Sequence, residues 1–163
     1  MSKNFYLSIF FILFLNVISA QNPIEWITNS EKVNDSTYNL ITTAKIENNW
    51  RLYSQYNEEG GAILTEFIFS DSLILKNYSK VIEPEPITKF DPVFNLDQSY
   101  FVDEVTFNQR IVLSTIDQDL VSQTVYYQVC DDRVCIFQEQ DLMFNLSGVC
   151  LLYTSDAADD LRG

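Results

Sequence analysis

Residues 126–135 read YYQVCDDRVC, with Cys130 and Cys135 separated by four residues. Two thiols this close can do three things. They can close a small structural disulfide, whose stabilisation is modest because the loop is short. They can contribute to a metal site, although structural zinc wants four Cys or His ligands and no second cysteine pair exists here. They can also form a redox pair, in which one thiolate attacks a partner's disulfide and the other resolves the adduct. Only sulfur combines that nucleophilicity with reversible self-pairing, so Ser, Thr or Lys could replace neither residue. Spacing alone leaves a staple and a redox pair open, and among exported domains the staple is the commoner use.

The surroundings narrow the chemistry. Asp131 and Asp132 are expected to raise the thiol pKa values, with Arg133 offsetting them in part. Activation by a helix start is not expected, because the segment sits between a strand and a loop. A sluggish pair of this kind suits a relay whose partner brings the activated cysteine. The chain has no histidine, which removes Ser-His-Asp and Cys-His catalysis and every histidine metal motif. Glu58 and Glu59, adjacent on one loop, cannot span a sugar cleft as glycosidase carboxylates must. Asp117 and Asp119 lack the spacing and final glutamate of a calcium loop. Gly60-Gly61 has no following Gly-Lys-Ser/Thr and is no phosphate loop. Asn34, Asn77 and Asn145 each open an Asn-x-Ser/Thr match of a kind common by chance. No cofactor and no metal is expected.

The elements that must hold the cysteines are short strands. TYNLITTAKI (37–46), RLYSQY (51–56) and ILTEFIFS (63–70) are rich in β-branched and aromatic residues and are separated by turn signals. SLILKNYSK reads as a further short strand. EPEPITKFDP (83–92) carries three prolines and is expected to be a connector or an edge. In YFVDEVTFNQRIVLS (100–114) both parities are mixed, and a bulge near Asn108 would reconcile them. LVSQTVYYQVC (120–130) is the clearest late strand, and DLMFNLS (141–147) is the last. Trp26 and Trp50 read as core anchors. With no long amphipathic helical stretch, this pattern predicts an all-β sandwich or barrel.

Residues 1–20 place Lys3 ahead of an apolar stretch and close on VISA, the signature of an export signal peptide cleaved after Ala20. Residues 21–149 are then the folded domain. The sequence carries 23 acidic against 10 basic side chains, a net charge of −13, and has no Lys/Arg cluster. Such a surface repels nucleic acid, and no nucleic-acid partner is expected. Residues 150–163 (CLLYTSDAADDLRG) drop the strand pattern. They are expected to be a disordered tail or a peptide foreign to the natural chain, with Cys150 belonging to it.

Three stretches, taken in order, carry a resemblance. IEWITNSEKVNDSTYNLITTAKIENNWRLYSQYNEEGGAILTEFIF (24–69) resembles an opening in which a strand leads through a Gly-Trp-His-like turn to Leu-Tyr-Ser-Gln, a Gly-Gly-Pro-like loop and a Thr-x-Phe strand. KFDPVFNLDQSYFVDEVTFNQRI (89–111) resembles a Phe-Asp stretch followed by a Val-x-Phe-x-Gln strand, and VYYQVCDDRVC (125–135) resembles a redox segment. Together they are similar to the amino-terminal periplasmic domain of the thiol:disulfide interchange protein DsbD, in its Bacteroidetes-like form, over residues 24–147. The resemblance implies an immunoglobulin-like β-sandwich in the periplasm, tethered to the membrane where the full-length protein has a membrane portion. It implies a protein-disulfide reductase type of activity, in which electrons pass from a membrane-embedded reductase portion, in cis or in trans, to periplasmic thioredoxin-fold proteins such as disulfide isomerases. It implies that Cys135 forms the mixed disulfide and Cys130 resolves it. It places an aromatic lid over the pair, for which Phe94 is the first candidate and Phe90 the second. Of Tyr126 and Tyr127, one is expected to flank the site and the other to pack in the core. Two departures stand out: CIFQEQ (135–140) lacks the family's Pro-Pro after the second cysteine, and Trp50-Arg51 stands where Trp-His is common. The other class of function compatible with these residues is a secreted binding or adhesion module whose disulfide is structural.

Overall fold

A computed structural model describes residues 22–92 and 94–147. The signal peptide expected over 1–20 and the tail expected over 150–163, with Cys150, lie outside the described residues. The elements are β1 (Ile24–Lys32), β2 (Thr37–Ile46), β3 (Arg51–Tyr53), β4 (Glu66–Phe69), β5 (Leu75–Tyr78), β6 (Ile87–Asp91), β7 (Leu96–Phe101), β8 (Glu104–Leu113), β9 (Leu120–Cys130) and β10 (Cys135–Asn145). They form a four-stranded sheet ordered β1-β2-β8-β5 and a six-stranded sheet ordered β10-β9-β3-β7-β6, with β4 also paired to β9. Every pairing is antiparallel. The domain is an all-β, immunoglobulin-like sandwich, as the resemblance implies.

Alternation builds the core between the sheets. In β2, Tyr38, Leu40, Thr42, Ala44 and Ile46 are buried while their neighbours are more exposed. In β8, Val105, Phe107, Gln109, Ile111 and Leu113 do the same from the adjacent strand. The six-stranded sheet answers with Leu52, Phe101, Val121, Val125, Tyr127 and Val129. Each such side chain fully withdrawn from water contributes about 1.5–3 kcal/mol before entropic costs. Gln109 and Gln123 are buried among them, but the Gln123 amide donates to Gln109 Oε1 at 2.6 Å and Gln109 Nε2 donates to the Ser79 carbonyl at 2.7 Å. Both amides are therefore satisfied, as buried polar groups must be. Thr28 and Ser30 of β1 donate hydroxyl bonds to the Met143 and Asn145 carbonyls of β10, at 2.7 and 2.6 Å, and so join the sheets along one side.

Four sequence expectations change. The mixed parity of 100–114 does not come from a bulge at Asn108. β8 pairs with β2 in unbroken register from Glu104 to Val112, and the shift in this sheet falls between Leu75 and Asn77. The chain changes sheets at Val102–Asp103, where Asp103 adopts φ 61°, a conformation Asp tolerates better than most residues. Phe101 and Val105 are both buried because they reach one core from opposite layers. β10 starts at Cys135, six residues before the expected last strand, so CIFQEQ is strand. β1, not expected as a separate strand from periodicity, covers β2. β3 and β4 are shorter than the runs that suggested them. The proline-rich segment contributes β6, which is the edge strand anticipated for it.

Candidate functional site

β9 and β10 form a hairpin whose last register pair is Cys130↔Cys135. The connecting residues, Asp131–Val134, close with the Asp131 amide donating to the Val134 carbonyl at 3.0 Å. The Asp131 carboxylate accepts from the backbone amides of Arg133 and Val134, both at 2.7 Å. Those bonds hold its pKa below the ordinary value. Asp is suited to this turn because its short side chain reaches amides two and three residues on. The result is a fixed loop that brings two strand ends together, with the Cα atoms of Cys130 and Cys135 4.1 Å apart and a disulfide between them.

The bond lies on the outer face of the six-stranded sheet, away from the main core. Cys130 is 2 % exposed and packs in a separate cluster with Tyr53, Ala62 and Tyr100, against which Phe94 and Val102 lean. Cys135 is exposed. The roof over Cys130 is the segment between β3 and β4. Asn57 exchanges hydrogen bonds with the Ser99 backbone at 2.6 and 2.9 Å. The Ala62 amide donates to Gln98 Oε1 at 2.9 Å, and the Ile63 amide donates to Gln128 Oε1 at 2.7 Å. Gln128 Nε2 in turn lies 3.5 Å from Cys130 Sγ. The two glycines of this loop serve different ends. Gly60 takes φ 88°, which glycine alone adopts freely. Gly61 has no room for a Cβ, which would run into the Gln98 side-chain amide.

Electrostatics at the site differ from the sequence reading. Arg51, the register partner of Cys130, and not Arg133, neutralises Asp132 in a charge-assisted pair. Its guanidinium also lies over the Tyr100 ring, 5.7 Å from the centroid. Tyr53 donates its hydroxyl to Asp91 Oδ2 at 3.2 Å. Burial, and then the Asp91 carboxylate, push the Tyr53 pKa up to about 12. A raised phenol pKa favours the neutral folded form. The associated stability is complete below the ordinary value of 10.0 and is lost as pH climbs to about 12. Tyr53→Phe is therefore expected to flatten the alkaline fall in stability, measured by urea unfolding across that window. An unchanged slope would remove Tyr53 as its source. Arg51, Asp91 and both cysteines line a crevice of about 130 Å³. A larger groove of about 420 Å³ opens between β4 and β5, but neither cysteine lines it.

The residues singled out from sequence separate as follows. Cys130 and Cys135 come together. Phe94 stands edge-on to Tyr53, with centroids 5.9 Å apart, within the cluster that holds Cys130. Phe90, the second lid candidate, is 60 % exposed on the edge strand and outside that cluster. Tyr127 is in the main core against Trp26, and its hydroxyl lies 3.0 Å from Gln138 Oε1. Tyr126 is on the outer face, stacked on Phe137 at 6.5 Å, and is not among the residues packed with Cys130. Tyr53, Tyr100, Asp91, Gln98, Gln128 and Arg51 were not anticipated. For Arg51, Tyr53 and Gln128 the sequence signal was the odd-even pattern of β3 and β9, which sets them on a common face with Cys130.

A family model described as thiol:disulfide interchange protein DsbD, N-terminal, matches residues 25–147. No curated protein matches the chain. Among solved structures, the N-terminal periplasmic domain of ScsB from Proteus mirabilis aligns with a TM-score of 0.57 at 16% identity, covering 80% of this chain and 49% of that one. The chain thus spans about half the length of the ScsB chain it matches. The reduced DsbD N-terminal domain of Neisseria meningitidis aligns with a TM-score of 0.48 at 16% identity, covering 83% of this chain and 95% of that one. A structure of the complex between the DsbD and PilB N-terminal domains of the same organism gives 0.43 at 14% identity, covering 76% and 83%. Among the described residues no helix is long and apolar enough to cross a membrane. The match spans nearly all of the described sandwich, including the disulfide-bonded hairpin, and the chain belongs to the family of the periplasmic N-terminal domain of DsbD.

Proposed function

We propose that this domain is a thiol–disulfide relay. Cys135 exchanges with partners and Cys130 resolves the exchange. The observation that carries the reading is the unequal exposure of the two sulfur-bearing residues: Cys135 is open to solvent while Cys130 is 2 % exposed beneath Tyr53 and Phe94. A staple needs no such asymmetry. A relay makes use of it, because only one sulfur has to meet another protein.

In the reduced domain the Cys135 thiolate attacks one sulfur of a partner disulfide, and the partner's other sulfur leaves as a thiolate. Cys130 then gives up its proton and attacks Cys135 Sγ, and the partner's remaining sulfur departs. Two electrons and two protons have moved to the partner, and the domain is left with the Cys130–Cys135 bond present here. A dithiol donor, the membrane-embedded reductase portion in cis or in trans, restores the pair by the reverse route. Periplasmic thioredoxin-fold proteins such as disulfide isomerases are the acceptors in this reading. Phe94 keeps small oxidants from Cys130, and Arg51 removes the Asp132 charge from beside the sulfurs.

The test is a redox titration of the purified chain in graded dithiothreitol buffers. A relay is expected to have a midpoint above about −300 mV and so to equilibrate with biological dithiols. A pair that stays oxidised until well below that value is a staple, and the domain is then a binding module.

A further inference from the structure

Resting on the relay reading, we propose that the outer face of β4, β9 and β10 is the platform on which the redox partner sits. The partner it fits presents its disulfide in an apolar centre ringed by basic side chains. Three observations converge on this surface.

The first is register. Side chains on one face of a strand recur every second residue, so Phe137 and Glu139 project on the same side as Cys135. From the neighbouring strand Gln128 and Tyr126 project with them. Phe137 follows Cys135 by about 7 Å along the strand. A protein joined through Cys135 that covers the roughly 800 Å² of a standard interface must cover Phe137 as well. The side of Cys130 that faces β3 and β7 is already roofed by Tyr53, Ala62 and Phe94. The partner therefore seats over β9 and β10.

The second is what lies on that face. Phe137 is 53% exposed and stacks on Tyr126. Val134, next to Cys135, is 46% exposed and Ile63 is 52% exposed. An exposed Phe137 stacked on a half-buried Tyr126, beside a reactive sulfur, is the kind of anchor that dominates protein interfaces.

The third is charge. Tyr126 has Glu66 as its register partner on one side and Glu139 on the other. Asp141 follows one step along β10, and all three acids are exposed. β4, β9 and β10 contain no Lys or Arg. The nearby cations are Arg51, bound to Asp132, and Arg133 on the hairpin loop. An aromatic strip framed by carboxylates selects an apolar surface with a basic rim.

The experiment uses the reduced full chain carrying Cys150→Ser, so that Cys130 and Cys135 supply its thiols, and synthetic peptides of about twelve residues, long enough to span the face. Each peptide holds one Cys-x-x-Cys disulfide flanked by Leu with Lys, Leu with Glu, or Ser alone. Hydroxyethyl disulfide serves as a small neutral control, and disulfide transfer is followed by stopped flow. The Leu/Lys peptide is expected to react about tenfold faster than the Leu/Glu peptide at low salt, a gap that closes in high salt. Glu66→Gln with Glu139→Gln is expected to erase the Lys preference. Phe137→Ser is expected to remove the advantage of Leu over Ser. All variants should keep the parent's rate with hydroxyethyl disulfide, which reports the intrinsic reactivity of Cys135. Equal rates for the three peptides, or preferences untouched by the substitutions, overturn the platform while leaving the relay intact. A reduced parent chain that transfers to neither peptide nor control overturns the relay itself.

Discussion

The Cys130→Ser chain, reduced and mixed with an oxidised thioredoxin-fold protein, is expected to accumulate a mixed disulfide, and the Cys135→Ser chain is not. Cys135 sits at the exposed start of β10 and can be reached by a second protein's sulfur. In the parent chain its adduct is expected to be short-lived, because Cys130, the register partner, is already in place to attack it. Intramolecular attack by a well-placed group corresponds to an effective concentration on the order of 10⁵ M or more. Serine does not replace it, because a hydroxyl does not attack a disulfide under these conditions. In the opposite variant the remaining thiol of the pair is Cys130, at 2 % exposure under the Tyr53–Phe94 cluster. Its adduct yield is expected to be lower by about tenfold or more, because access as well as thiolate fraction limits exchange. Non-reducing electrophoresis followed by mass mapping of the linkage reads both outcomes. Equal trapping by the two variants would show that burial does not divide the roles, and trapping by Cys135→Ser alone would reverse them.

The largest effect on stability is expected at a residue remote from sulfur. Phe107→Ala should lower unfolding free energy by about 3–5 kcal/mol. Phe107 is 1 % exposed. Its ring centroid lies 5.1 Å from that of Phe67, 5.9 Å from that of Phe101 and 6.3 Å from that of Trp26. It therefore joins β8 and β1 of one sheet to β4 and β7 of the other. Alanine there leaves a cavity bounded by other rings, which cannot collapse without moving both layers. Against a usual total of about 5–15 kcal/mol, the loss is a large share. Urea denaturation should show a lower midpoint with little change in slope. The redox midpoint of the folded fraction should stay where it was, because Cys130 packs in the other cluster. A loss under about 1 kcal/mol would mean that the aromatic hub is not cooperative with the fold. A shift in redox midpoint would mean that the two clusters are coupled.

Several features could be read from residue order alone. β2 and β9 occupy the runs 37–46 and 120–130 that residue order marked out, and each sets alternate side chains on the core, although in β9 the outer face is covered too from Gln128 to Cys130. The proline-rich segment could only be an edge or a connector, since three missing amide donors have no place inside a sheet. The acidity and the pair of thiols were equally plain, and together with the order of short motifs they pointed to the sandwich and its family. Other features could not be read this way. CIFQEQ looked like loop because its exposed side alternates Phe with Glu and its inward side holds two glutamines. It is strand because β9 offers each of its six residues a register partner. The 100–114 run looked frustrated because one string of residues was feeding two sheets. A change of sheet at Asp103 is not a property of any residue's neighbours in sequence.

By itself, then, the amino-acid order determined the all-β class, the period of most strands and the identity of the sulfurs, since these follow from local pattern and chemical type. Tertiary structure alone decided that Arg51 answers Asp132, that Tyr53, Tyr100 and Gln128 surround Cys130, that Phe94 and not Phe90 leans on that cluster, and that Cys135 is left exposed. Those outcomes depend on which strands become neighbours. In an antiparallel sandwich, neighbours are drawn from segments as far apart as Arg51, Phe94 and Cys130, whose proximity is set by the packing of the whole domain.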